Sequence, residues 1–232
     1  MKLAILADIH ANATALDAVL RAASNRQVER ILVAGDLVGY YFQPARVLEL
    51  LAQWETTTIR GNHEDLLSVA RMDSQLLDDC VRKYGPGIEI AMTQLDESQL
   101  NYLCQLPHPL EFTIDETVFL MCHGSPWDID QYIYPDAKPE LLQKCITGGQ
   151  HVIVTGHTHY PMVKNLDGTL LINPGSVGQP RNRVPGAHWV LFDTVTRTWE
   201  CCREEYDLSG VLDQCRELAP GHQYLADVLT RH

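Results

Sequence analysis

Short apolar runs that stop abruptly at polar, glycine-bearing motifs dominate the first part of the chain. Residues 2–7 and 30–34 are two such runs, and residues 13–23 between them carry a helical spacing of apolar positions. Strand, helix and strand in that order predict a βαβ unit. Residues 43–54 form a second helical stretch, with Val47, Leu48, Leu50 and Leu51 near one face, and the β-branched segment 56–60 supplies a third strand. The opening therefore reads as a parallel α/β sheet. From 64 to 106 the pattern is mostly helical, broken at Gly85-Pro86-Gly87, and a block of this kind could overhang a site at the sheet edge.

The second half changes period. Segments 117–122, 151–155, 162–165, 169–172, 188–193 and 199–205 read as strands, and Leu166-Asp167-Gly168 marks a hairpin. Only 138–147 and the region 208–229 are strongly helical. No internal repeat, low-complexity tract or linker interrupts the 232 residues. One domain spanning residues 1–232 is expected, with two sheets packed face to face and helices outside.

At 45% hydrophobic composition the chain can close one sizeable core. Apolar runs such as 3–7 and 152–154 are far shorter than the ~20 residues of a membrane helix. Met1-Lys2 leads directly into a strand, so a soluble, unexported chain with no membrane partner is expected. Seven cysteines without CxxC spacing suggest neither a disulfide framework nor a thiolate zinc site, and the cytoplasm is the expected compartment. The formal charge of -12 argues against sequence-independent nucleic-acid binding. A small anionic substrate would need local positive charge.

The polar motifs that end the strands hold the chemistry. Asp8 and His10 stand two apart, a spacing that places both side chains on one side of an extended chain. Asp36 follows Gly35 at the next strand end, where open parallel sheets gather ligand-binding loops. Asn62 lies in Gly61-Asn62-His63-Glu64, with Gly61 permitting a tight turn. His123 beside Gly124, and His157 and His159 beside Gly156, follow strands of the second half. Singly, each has a plain structural explanation as a cap, turn or core residue. Jointly, five strand ends carrying metal-competent residues are not predicted by core packing. Imidazole, carboxylate and amide donors without thiolate suit Mn, Fe, Co, Ni or Zn better than the all-oxygen shells of calcium or magnesium.

These residues resemble, in order, the five motifs of calcineurin-like metallophosphoesterases, over about residues 1–195. Residues 173–181, Asn-Pro-Gly-Ser-Val-Gly-Gln-Pro-Arg, further resemble the bacterial phosphodiesterase and diadenosine-tetraphosphatase-like branch. The resemblance implies a four-layer α/β/β/α sandwich of two mixed sheets flanked by helices. It implies two divalent ions, manganese first among the candidates: one on Asp8, His10 and His159, the other on Asn62, His123 and His157, with Asp36 bridging. His63 would stabilise the transition state or protonate the leaving oxygen, with Glu64 or Asp36 orienting its imidazole. Two ions roughly 3.5–4 Å apart lower the pKa of a shared water from 15.7 toward about 7, and the resulting hydroxide would attack phosphorus. The implied substrate is a small phosphodiester or nucleotide-type phosphoanhydride. The alternatives are a phosphomonoesterase or protein phosphatase, or a non-catalytic scaffold of the same fold, which typically loses ligands or the motif histidine that are complete here. Two positions depart from the branch: Ala11 and Tyr41 stand where it usually has glycine.

Substrate contacts are less sharply marked. Arg181 could grip a phosphate bidentately or lie in a surface loop, and the same holds for Arg183. Asn12 either touches phosphate or caps the 13–23 helix. Trp127, Tyr132 and Tyr134 either stack on a nucleobase or pack against their own domain. Cys122 reads as a core thiol because alternation points it away from His123. His108, His151, His188, His222 and His232 lack motif context and read as structural or surface residues.

Overall fold

The computed structural model describes residues 1–231, so His232 lies outside the described residues. The chain opens β1 (Lys2–Leu6), α1 (Ala13–Asn25), β2 (Arg30–Val33), α2 (Pro44–Leu51), β3 (Thr56–Thr58), followed by the helical block α3 (Asn62–Ala70), α4 (Ser74–Tyr84), α5 (Gly87–Gln94) and α6 (Glu97–Gln105). Then come β4 (Leu110–Ile114), β5 (Thr117–Met121), α7 (Pro139–Lys144), β6 (Val152–Val154), β7 (Met162–Leu166) and β8 (Thr169–Asn173). The final elements are β9 (Ala187–Asp193), β10 (Thr198–Glu204), α8 (Ser209–Leu218) and α9 (Tyr224–Thr230).

Two five-stranded sheets result, ordered β10-β9-β1-β2-β3 and β4-β5-β6-β8-β7. The expected parallel pairing holds for β1, β2 and β3, with Leu3 opposite Arg30 and Ile31 opposite Thr56. The late strands then return: β9 lies antiparallel to β1, Leu3 facing Phe192, and makes the sheet mixed. In the second sheet β5, β6 and β8 run parallel between antiparallel edges.

The period of two in β1 divides the layers. Leu3, Ile5 and Ala7 meet Phe119, Met121, Val154 and Ile172 between the sheets. Ala4 and Leu6 turn the other way, onto Leu16 and Val19 of α1. On the far side of the second sheet, Leu120, Cys122, Ile153 and Leu171 pack with Leu142 and with Cys145 just beyond α7. Helices, sheet, sheet and helix therefore form the four-layer α/β/β/α sandwich. Cys122 is a core thiol, and burial pushes its pKa well up.

Local chemistry sets the boundaries. Asn12 caps α1, its side chain accepting from Ala15 N at 3.2 Å. Gly85 ends α4 at φ +83, a left-handed value that costs glycine nothing. β4 is a strand the apolar runs do not announce; its alternating Leu110, Phe112 and Ile114 pair antiparallel with β5, Phe112 stacking on Phe119 at 5.4 Å. Among the described residues no helix is long and apolar enough to cross a membrane, and all seven cysteines are free.

Candidate metal centre

Because β1, β2 and β3 run parallel in one sheet and β5 and β6 in the other, their carboxyl ends deliver the strand-end motifs to one place. Asp8 and His10 follow β1, Asp36 follows β2, and Asn62 opens α3 after β3. His123 follows β5; His157 and His159 follow β6. The structure brings all seven together. His10 Nε2 lies 3.1 Å from His159 Nε2, and His159 Nε2 lies 3.5 Å from Asp8 Oδ1. Opposite them, Asn62 Oδ1 sits 3.0 Å from His123 Nε2 and 3.1 Å from His157 Nδ1. Asp36 Oδ2 is 3.6 Å from His10 Nε2 and 3.2 Å from His123 Nε2, so it stands between the two groups.

The other nitrogen of each ring is tied to a backbone carbonyl: His10 Nδ1 to Val38 at 3.1 Å, His123 Nδ1 to Ala34 at 2.8 Å, His159 Nδ1 to Gln179 at 2.6 Å, His157 Nε2 to Asp130 at 3.1 Å. A carbonyl accepts only, so in the neutral ring the proton sits on the tied nitrogen and the inward one presents a lone pair. Lone pairs, a carboxamide oxygen and two buried carboxylates then converge with little to separate them. Asp8 Oδ2 is buried with no hydrogen-bond partner. Such a donor set fits divalent cations, and among the described residues Asp8, His10 and His159, and Asp8, Asp36 and His123, bring ligand atoms within 4.8 Å of one another. His10, Asp36 and His63 do the same, so His63 borders the centre directly.

Without a cation the charges rearrange. Burial pushes Asp8 up to about 7. Burial also acts upward on Asp36, but His123, His63 and His10 together hold it well below the usual carboxylate range. Burial would lower His123; Asp36 and Asp8 beside it win and raise it to about 10. His63 and His157 are pushed down to about 4, chiefly by burial.

Backbone strain concentrates at the same place. Asp8, His10, Asp36, His157 and His159 have φ of 54°, 50°, 57°, 66° and 60°, a left-handed region that costs a non-glycine residue on the order of 1 kcal/mol or more. Hydrogen bonds hold these turns: Asp8 N to Gly35 O at 3.1 Å, His10 N to Asp36 O at 2.9 Å, and Ser176 Oγ to Asp8 O at 2.7 Å. Ala11, where glycine is usual, also has φ 54°, and that explains the usual glycine. Tyr41 needs no such freedom; its buried hydroxyl donates to Leu225 O at 3.0 Å and fastens α9.

Several residues act otherwise than their motifs suggest. Glu64 does not orient an imidazole. Its carboxylate accepts from the backbone N–H of Gly61, Asp36, Leu37 and Val38 at 2.8 to 3.2 Å, and so ties the loop after β2 to the start of α3. Asp36 Oδ1 accepts from the backbone N of His63 at 2.8 Å rather than from its ring. His63 Nδ1 is buried with no partner, and its ring is held by packing against His10 at 4.7 Å, Tyr40 at 4.7 Å and Tyr84 at 5.2 Å. Gly61 makes no tight turn, with φ -104° and ψ -179°; it is needed because a Cβ there would collide with Asp36 Oδ1.

Arg181 is mostly buried beside the centre and donates to Tyr40 Oη at 2.9 Å and Gln179 Oε1 at 3.0 Å. Besides capping α1 through Oδ1, Asn12 donates from Nδ2 to Gly178 O and Tyr206 Oη, both at 3.0 Å. Arg183 is exposed and lines a separate cleft of 590 Å³ with Arg203 and Tyr206. Tyr132 packs 4.1 Å from the His157 ring and stacks on Tyr134 at 5.6 Å. Trp127 lies under Lys144 Nζ at 3.9 Å. His108 and His151 accept from the backbone N of His123 and Val118, each at 2.9 Å; His188 and His222 lie 2.9 Å and 3.3 Å from Val184 O and Arg82 O.

Residues 1–197 match the family model of the calcineurin-like phosphoesterase superfamily domain. An uncharacterized protein of Methanocaldococcus jannaschii is 32% identical over 231 residues, covering 91% of this chain and 90% of its own. Among solved structures, a metallophosphoesterase from Sphaerobacter thermophilus superimposes with a TM-score of 0.80 at 29% identity, over 100% of this chain and 99% of that one. A hypothetical protein from Pyrococcus horikoshii OT3 does so with a TM-score of 0.86 at 22% identity, over 99% and 98% of the two chains.

Proposed function

The chain belongs to the calcineurin-like phosphoesterase superfamily, whose enzymes are metal-dependent phosphoester hydrolases, and from that premise we propose that it cleaves phosphodiesters or nucleotide-type phosphoanhydrides in the cytoplasm. The observation that carries the reading is the paired donor set: Asp8, His10 and His159 on one side, Asn62, His123 and His157 on the other, and Asp36 within reach of both. These groups would hold two divalent transition-metal ions, manganese before iron, nickel, cobalt or zinc. When bound, such ions supply Lewis acidity, lowering the pKa of water toward about 7 and neutralising phosphoryl charge.

The chain's own residues do the remaining work. Arg181 keeps its charge at every working pH and supplies the positive counterpart that a phosphoryl group needs in a chain of net charge -12. His63, buried and bordering His10 and Asp36, would exchange a proton with the leaving oxygen. The diester or phosphoanhydride is favoured over a monoester on the resemblance of residues 173–181 to the phosphodiesterase and diadenosine-tetraphosphatase-like branch.

The test compares bis-p-nitrophenyl phosphate with p-nitrophenyl phosphate across Mn, Fe, Ni, Co and Zn, with bound metal quantified. The diester should turn over faster, with manganese. Faster monoester cleavage favours the phosphomonoesterase or protein phosphatase, and no turnover with two ions bound favours a scaffold. His63→Ala should keep both metals and lose about 10²-fold or more in kcat. Parental turnover by that variant would remove His63 from the chemistry.

A further inference from the structure

We propose that Tyr40 is a positioning residue for Arg181, holding the guanidinium as a preorganised phosphate grip; the inference rests on the phosphoesterase function above and names a residue that function did not include. Tyr40 is a bulky aromatic at φ +57°, a conformation such residues rarely adopt. It is nonetheless 6% exposed and lies inside the ring of site histidines, 4.6 Å edge-on from His10 and 4.7 Å from His63. Backbone strain persists where the surroundings over-determine it, and it collects at sites that use it. Here the neighbours are a ligand, the proton-transfer histidine and Tyr84, whose ring meets Tyr40 edge-on at 5.8 Å.

The hydroxyl carries the function. It accepts from Arg181 Nη2 at 2.9 Å, while Gln179 Oε1 accepts from Nε at 3.3 Å and from Nη2 at 3.0 Å. One edge of the guanidinium is thus fastened at two points, and Nη1 makes no hydrogen bond among the described residues. Arg181 is close enough to Asp8, His10, His63, His157 and His159 for its charge to bear on each. The free N–H groups therefore belong to a cation already fixed beside the centre. A long flexible side chain on the loop after β8 would otherwise lose its rotamer freedom only when the phosphate arrived, weakening binding. Phenylalanine at position 40 would fill the same space and leave Arg181 with Gln179 alone.

The experiment uses manganese-loaded parent, Tyr40→Phe, Arg181→Gln and the double variant. Calorimetric titration with inorganic phosphate gives binding without turnover; kinetics on bis-p-nitrophenyl phosphate give KM and kcat; metal content and thermal midpoint check the fold. Tyr40→Phe should weaken phosphate binding about tenfold and raise KM similarly, with kcat within about threefold and both metals retained. Arg181→Gln should weaken binding further, and adding Tyr40→Phe to it should change nothing more, because the two act through one guanidinium. Unchanged phosphate affinity in Tyr40→Phe overturns the proposal, as does an equal loss with and without Arg181, or phosphate binding indifferent to Arg181. If the parent binds phosphate through Arg181 yet hydrolyses neither ester, the hydrolase function fails while the phosphate affinities still decide Tyr40.

Discussion

Each ring nitrogen tied to a carbonyl decides what its partner nitrogen can do, and His123 shows the consequence most directly. With no cation, Asp36 and Asp8 hold a proton on His123 up to about pH 10, against 6.5 for the free side chain. The raised value means that at pH 8 the metal-free ring is charged and the metal-loaded ring is neutral. Loading should therefore expel about one proton from this side chain, seen as a calorimetric enthalpy that varies with the ionisation enthalpy of the buffer. Identical enthalpies in all buffers would contradict it. At this scale the gathering of Asp8, His10, Asp36, Asn62, His123, His157 and His159 was legible, because aspartate, asparagine and histidine placed straight after apolar runs have few other reasons to recur. Glu64 was not: beside a motif histidine a carboxylate looks like the imidazole's partner, and only the folded loop reveals four backbone donors aimed at it. Nor was Tyr40, since an aromatic after Gly39 carries no spacing signal.

The strands were legible as elements because each is a compact apolar run, and β4 was missed because its alternation between Leu110 and Ile114 is short and half-buried. The helical block showed its break at Gly85-Pro86-Gly87, and its end near the site is read from Tyr84, whose ring reaches His63. Glu64 joins two elements that share no strand pairing, the loop after β2 and the first turn of α3. Glu64→Gln replaces one of two accepting oxygens with a donor, which would point N–H at N–H in a buried pocket. A loss of about 2–3 kcal/mol is expected, with weaker metal binding because Asp36 rides on the same loop. The urea midpoint and the bound-metal stoichiometry measure both; an unchanged midpoint would show that the carboxylate is dispensable. Burial and the nearby Asp36 push the Glu64 carboxyl up to about 7, so its backbone donors offset only part of the cost of holding a charge there.

For the molecule as a whole, the two sheets meet through an apolar interface, tied at one end where Asp115 accepts from the Met1 ammonium at 2.9 Å and from Thr194 Oγ1 at 2.7 Å, and bounded at the carboxyl edge by the donor set, to which each sheet contributes part. Cations that bind only this assembled edge stabilise the whole sandwich. At metal concentrations near 1,000 times the dissociation constant the gain is about 4 kcal/mol, so chelation by EDTA should lower the thermal midpoint by about 10 °C. A midpoint indifferent to chelator would mean that the edge does not retain metal. The sandwich itself followed from two kinds of strand pattern in succession, but the return of β9 and β10 to the first sheet did not, since pairing partners so distant leave no mark on local spacing.

That distance along the chain also orders events during synthesis. The donors run from Asp8 to His159, and the loop bracing them extends through Ser176 and Gln179, whose carbonyl fixes the His159 tautomer. A growing chain at the ribosome can therefore display its first aspartate and histidine long before it can retain an ion. Completion of the donor set and its bracing is a late event, reserved for chains translated past Gln179.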